Sequence, residues 1–120
     1  MVMRDVSIAA DNYEMNYDDP PWAVEYTGKA VKQKGDLPPD IDNALLALVK
    51  ALQWHGPVQK KRPHYGKIKG LKKNTDIHHC HLNKGHPTYV VAWKVADKKG
   101  KKMEIIHVGT NEKTDYRRLG

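Results

Sequence analysis

His64, His78, His79, His81 and His86 fall within a stretch of chain that also carries Lys60, Lys61, Arg62, Lys67, Lys69, Lys72 and Lys73. Imidazole titrates near neutrality, so one ring can take a proton from an oxygen while another returns a proton to a leaving oxygen. Cleaving a ribose phosphodiester needs that pair of transfers. A base removes the 2′-hydroxyl proton, the freed oxygen attacks the adjacent phosphate, an acid protonates the departing 5′-oxygen, and cations hold the charged phosphorane. Histidines beside lysines supply every part.

The competing chemistry is zinc, because His78-His79-Cys80-His81 followed by His86 is dense in ligand types. In an extended strand His79 and His81 point to one side and Cys80 to the other, and neither CxxC nor HExxH spacing is present. The expectation is no metal and no small-molecule cofactor, with Cys80 a small buried hydrophobe and His55 and His107 structural. Gly66-Lys67-Ile68-Lys69-Gly70 lacks the second half of a phosphate-binding loop, and paired carboxylates and nucleophile elbows are absent. Kinase, nucleotide-hydrolase and serine-hydrolase readings fall away.

The charge is uneven. The chain of 120 residues carries a formal +7, yet residues 1 to 20 hold Arg4 against Asp5, Asp11, Glu14, Asp18 and Asp19, a net −4 that leaves +11 on the rest. A body that basic attracts polyanions, nucleic acid above all. A single cysteine cannot form an internal bridge, and no apolar run approaches the roughly 20 residues that cross a bilayer. A soluble, cytoplasmic protein with no membrane contact is expected.

The elements that must position the histidines follow from pattern. Residues 1–21 are acidic, weakly periodic and closed by Asp18-Asp19-Pro20-Pro21, which reads as a tail or linker before a single domain at 22–120. Trp22 to Tyr26 suits a first strand, and Thr27 to Lys34 a short helix ending at Gly35. From Pro38, the apolar residues Ile41, Ala44, Leu45, Leu48 and Leu52 recur at helical spacing until Gly56-Pro57. Residues 56–75 read as a basic loop region. Ile77 to Asn83, Tyr89 to Ala96 and Lys102 to Val108 read as strands, the last two joined by Asp97-Lys98-Lys99-Gly100. The order predicts an α+β domain in which two N-terminal helices cover one face of a small, mainly antiparallel twisted sheet. Alternation places His79 and His81 on the other, open face.

Taken together these residues resemble the RelE superfamily of bacterial toxin–antitoxin toxins, and within it the YafQ-like messenger-RNA interferases. The similarity runs from about Trp22 to Tyr116. It includes Gly66-Lys67-Ile68-Lys69-Gly70, similar to the family's step between helix and sheet, then Cys80-His81-Leu82 and Tyr89-Val90-Val91-Ala92-Trp93-Lys94-Val95. It ends in Gly109-Thr110-Asn111, where the family typically reads Gly-Thr-His, followed by the aromatic Tyr116. The resemblance implies a metal-independent endoribonuclease that cuts mRNA at the ribosome and is held inactive by an antitoxin protein. It makes His81 and His64 the acid–base candidates, adds His86 by proximity, and assigns Asn111 and Tyr116 to the end of the site. Lys67 and Lys69 would hold phosphates, with His79, Lys113 and Arg117 completing the RNA-binding set. Asn111 cannot shuttle a proton at neutral pH, and Thr88 stands where the branch often has an acidic residue. The alternative is therefore a chain of reduced activity, a non-catalytic RNA binder, or an inhibitor of another target in the manner of the ParE relatives.

Overall fold

A computed structural model describes residues 19–69 and 75–119. The acidic stretch 1–18, and residues 70–74 with Lys72 and Lys73, lie outside the described residues. The elements are β1 (Ala23–Tyr26), α1 (Gly28–Gly35), α2 (Pro39–His55), β2 (Gly66–Lys67), β3 (Ile77–His81), β4 (Tyr89–Asp97) and β5 (Lys102–Thr110), followed by the 3₁₀ turns Asn111–Lys113 and Tyr116–Arg118. The strands form one sheet in the order β1-β5-β4-β3-β2, with β1 parallel to β5 and every other pair antiparallel. This is the expected α+β arrangement.

Local chemistry explains the helix boundaries. Thr27 Oγ1 accepts the Ala30 N–H at 3.2 Å and caps α1. α2 begins behind Pro38, with Pro39 in its first turn and Asp40 and Asp42 complementing the helix dipole. It ends at Gly56, whose φ of 89° suits glycine and whose N–H donates to Leu52 O at 2.9 Å. The Trp22 indole lies against that glycine, so a Cβ there would sit 3.2 Å from its Nε1.

Leu45, Leu48, Val49 and Leu52 of α2 and Ala30 of α1 pack on Cys80, Val91, Trp93, Met103, Ile105 and Val108 of the sheet. Each buried leucine contributes about 1.5–3 kcal/mol. Val49 takes the place expected of Ala44, which is only partly buried. Trp93 satisfies its indole by donating to Pro57 O at 3.0 Å, which ties the chain leaving α2 to the middle of the sheet.

The structure corrects the sequence reading in two places that matter for the site. The stretch 56–75 contains β2, which pairs Gly66 with His79 and Lys67 with His78. Cross-strand partners share a face, so Lys67 joins His78 on the helix-covered side rather than His79 and His81. The second face is also less open than expected. Val90 and Ala92, in register with His81 and His79, are fully buried, and the C-terminal turns bring Tyr116 against His79. Strand ends differ by a few residues: β3 stops at His81, whereas β4 and β5 run on to Asp97 and Thr110. No helix among the described residues is long and apolar enough to cross a membrane.

Candidate active site

His81 closes β3, and its backbone N–H donates to Pro63 O at 2.9 Å, which draws the loop ahead of β2 against the strand. The next loop residue, His64, takes a φ of 54°, a left-handed conformation uncommon outside glycine but more accessible to histidine than to most residues. The result is a stacked pair: the His64 and His81 rings lie 4.1 Å apart between centroids and 23° from parallel.

Lys61, Pro63, Asn83, Lys84 and Thr88 join these two rings in lining a cleft of about 520 Å³. Asn83 is occupied in shaping the loop, because its Oδ1 accepts the Tyr89 N–H at 2.7 Å and its Nδ2 donates to Pro87 O at 3.1 Å. Thr88 Oγ1 donates to Gly85 O at 2.7 Å. Among the described residues, Lys61 and Lys84 are the cations that line the cleft. Burial, reinforced by the charge of His64, holds the His81 pKa below the ordinary imidazole value. His81 is therefore neutral at pH 7 and available as a proton acceptor.

His79 extends the histidine row along the strand. Burial lowers its pKa, and the neighbouring imidazoles of His81, His64 and His78 add to the effect. Its ring lies 5.4 Å from that of Tyr116 in a tilted contact. Tyr116 Oη donates to Asn111 Oδ1 at 2.8 Å, and Asn111 N–H donates to Thr88 O at 2.7 Å. Thr88 thus links the Asn111 and Tyr116 turns to the cleft. Burial raises the Tyr116 pKa, so its hydroxyl keeps its proton.

On the opposite face of the sheet a polar chain centred on the buried His78 anchors the His64 loop. Tyr65 Oη donates to His78 Nδ1 at 2.7 Å, His78 Nε2 lies 2.9 Å from Asp76 Oδ1, and Lys67 Nζ lies 3.0 Å from the same oxygen. His78 is 1% exposed and stacks on Trp93 at 5.8 Å and 8°. Burial lowers its pKa against the opposing pull of Asp76. Burial pushes the Asp76 carboxyl up, but Lys67 and His78 outweigh this and hold it below the usual range. Tyr65 directly follows His64, so this chain fixes the backbone that presents the stacked ring.

The other expected site residues lie elsewhere. Lys67 is engaged with Asp76 on the far face. Lys69 is exposed beyond β2. His86, exposed in the β3–β4 loop, is not among the residues lining the cleft. Arg117 is exposed and reaches Asp115 at 3.4 Å, and Lys113 borders a different hollow, beside α1. Cys80 is buried on the helix side, where burial pushes its thiol up to about 12. Lys61, Lys84, Tyr65 and Asp76 went unnoticed as site residues. The basic residues of 60–62 were visible as a patch, but nothing local indicates which of them turns towards His81.

No family model matches the sequence, and no curated protein matches it. Among solved structures, a chain of the archaeal RelE–RelB complex from Pyrococcus horikoshii OT3 is similar, with a TM-score of 0.63 and 20% identity over 78% of this chain and 99% of that one. A chain of the YoeB dimer from Staphylococcus aureus gives a TM-score of 0.54 and 12% identity over 72% of this chain and 92% of that one. The chain therefore has the fold of RelE and YoeB, the fold its sequence motifs resemble.

Proposed function

We propose that the protein is an endoribonuclease, the toxin of a toxin–antitoxin pair, which cuts messenger RNA with side chains alone. The observation that carries this reading is the stacked His64–His81 pair at the mouth of a cleft bearing Lys61 and Lys84. Neutral His81 takes the 2′-hydroxyl proton, and the oxygen so freed attacks the adjacent phosphate. His64, exposed on its loop, swings from the stack to protonate the departing 5′-oxygen, while Lys61 and Lys84 hold the phosphorane charge. Tyr116 offers a ring face to a neighbouring base. The ribosome and its message are the proposed substrate setting, in the cytoplasm, and an antitoxin protein is the proposed partner. The similarity to a RelE–RelB complex supports that partner.

A second reading has one specific observation in its favour: Asn111, tied to Tyr116 Oη, stands where a proton-shuttling histidine is expected from the resemblance. On that reading the cleft binds RNA without turnover. Incubating the protein with ribosomes and a translated message separates the two. Cleavage by the native chain supports the nuclease. Cleavage by Asn111→His alone supports an inactivated nuclease, and cleavage by neither removes the nuclease reading.

A further inference from the structure

His107 on β5 reads from sequence as merely structural, yet both of its ring nitrogens have polar partners in a buried position. Gln33 on α1 sets the direction of this network. Its Oε1 accepts the Val108 N–H at 2.9 Å, beyond the last β5 residue paired with β1, so its amide nitrogen is the atom that faces His107 Nδ1 at 3.2 Å. An amide nitrogen can only donate, so Nδ1 accepts and the imidazole proton sits on Nε2. Nε2 donates to Thr114 Oγ1 at 2.9 Å, and the Thr114 hydroxyl donates to Thr110 O at 2.7 Å. Thr114 N–H donates to Asn111 O at 3.2 Å, and Asn111 holds Tyr116. Hydrogen bonds thus connect α1 through His107 and Thr114 to the turn that bears Asn111, on which Tyr116 Oη donates.

A second proton on His107 would set an N–H against the Gln33 NH₂. Rotating Gln33 to accept that proton would strip the Val108 N–H of its acceptor, which favours the other response, in which the ring leaves and Thr114 is freed. Among the described residues, the charged and titratable groups around this hollow of about 340 Å³ are Lys29 of α1, Asp36 at its C-cap, Tyr89 of β4 and Lys113 of the C-terminal turn. By sign, Lys29 and Lys113 oppose that proton and Asp36 favours it. Burial, with Lys29 assisting, keeps the ring neutral at pH 7.

We propose that His107 is a positioning residue: in its Nε2–H form it locks to α1 the turn bearing Asn111, the residue that holds Tyr116, and uptake of a proton releases that turn. Its consequence for cleavage rests on the ribonuclease reading; the lock itself does not.

The test is an NMR titration of the isotope-labelled full chain from about pH 8 to about pH 5, across the imidazole range. At the upper end His107 is expected to carry its proton on Nε2. On acidification the amide signals of Asn111, Thr114 and Tyr116 should move with the midpoint of the His107 ring. In Gln33→Glu, where a carboxylate faces Nδ1, that midpoint should rise by about one pH unit. In His107→Asn the coupled movement should vanish. An Nδ1–H ring, turn signals that ignore the His107 midpoint, or the same movement in His107→Asn would each overturn the proposal. If His107→Asn does not fold, an unchanged midpoint in Gln33→Glu overturns it. For a cleaving protein, His107→Asn should lower kcat with little change in KM, and an unchanged kcat counts against the lock. Absence of any cleavage by the native chain would contradict the ribonuclease reading and leave the NMR result to stand by itself.

Discussion

His64 and His81 are brought together by a main-chain bond, since the His81 N–H donates to Pro63 O and so carries His64 onto the strand with 4.1 Å between ring centroids. On the proposed mechanism the two rings divide the work, His81 as base and His64 as acid. His81→Ala or His64→Ala should each lower the single-turnover cleavage rate by about 10²- to 10⁴-fold. The double variant should be scarcely worse than either single one, because the pair acts as a unit. Additive losses in the double variant would argue against shared work.

The cleft lysines should govern RNA affinity. Lys61→Gln and Lys84→Gln should each weaken binding and reduce the slope of log affinity against log salt by about 0.7, the value for one single-strand phosphate contact. Lys67→Gln should leave that slope unaltered, because Lys67 faces Asp76 on the other side of the sheet. Fluorescence anisotropy across a salt series reads both.

Tyr65→Phe removes the donor to a fully buried His78 Nδ1. Leaving that atom unpaired should destabilise the fold by about 1–3 kcal/mol in urea unfolding. Cleavage should fall further than RNA binding, since the loop that carries His64 loses its anchor.

Acid should destabilise the protein. His78, His79, His81 and His107 all have folded-state pKa values held below the ordinary imidazole value, by burial first in each case. A depressed histidine pKa means that the unfolded chain binds more protons, so this stability is complete above about pH 6.5 and is lost as pH falls through the folded values. The thermal midpoint should decline steadily on acidification, and His78→Gln should flatten the slope. A midpoint indifferent to pH over that range would contradict the assignment.

Much of this was legible in the sequence because it is local. The α2 stripe of Leu45, Leu48 and Leu52, the glycine stop at Gly56 and the alternation that separates His79 and His81 from Cys80 follow from chain geometry, and the structure has each of them. What escaped depends on long-range pairing. β2 is only two residues long, and its register alone decides that Lys67 faces His78. The same pairing makes Tyr65 a partner of His78, and the Pro63 carbonyl makes His64 a partner of His81. His107 looked ordinary because its partners, Gln33 and Thr114, come from an earlier helix and a later turn.

Asn111→His offers a gain rather than a loss. With its backbone N–H held by Thr88 O and its side chain facing Tyr116, a histidine there would lie next to the ring that contacts His79. The cleavage rate should rise by about 10²-fold, the lower end of what a placed acid or base contributes. An unchanged rate would show that the existing histidines already suffice.

On the proposed mechanism, paired histidines drive attack by the ribose 2′-hydroxyl. The most direct test uses an RNA that the protein cuts, mapped to its cleavage site and resynthesised with one 2′-deoxynucleotide immediately 5′ of that site. The native products should carry a 2′,3′-cyclic phosphate and a 5′-hydroxyl, with no cut at the substituted position. Continued cutting there, or products ending in 3′-hydroxyl and 5′-phosphate, would contradict it.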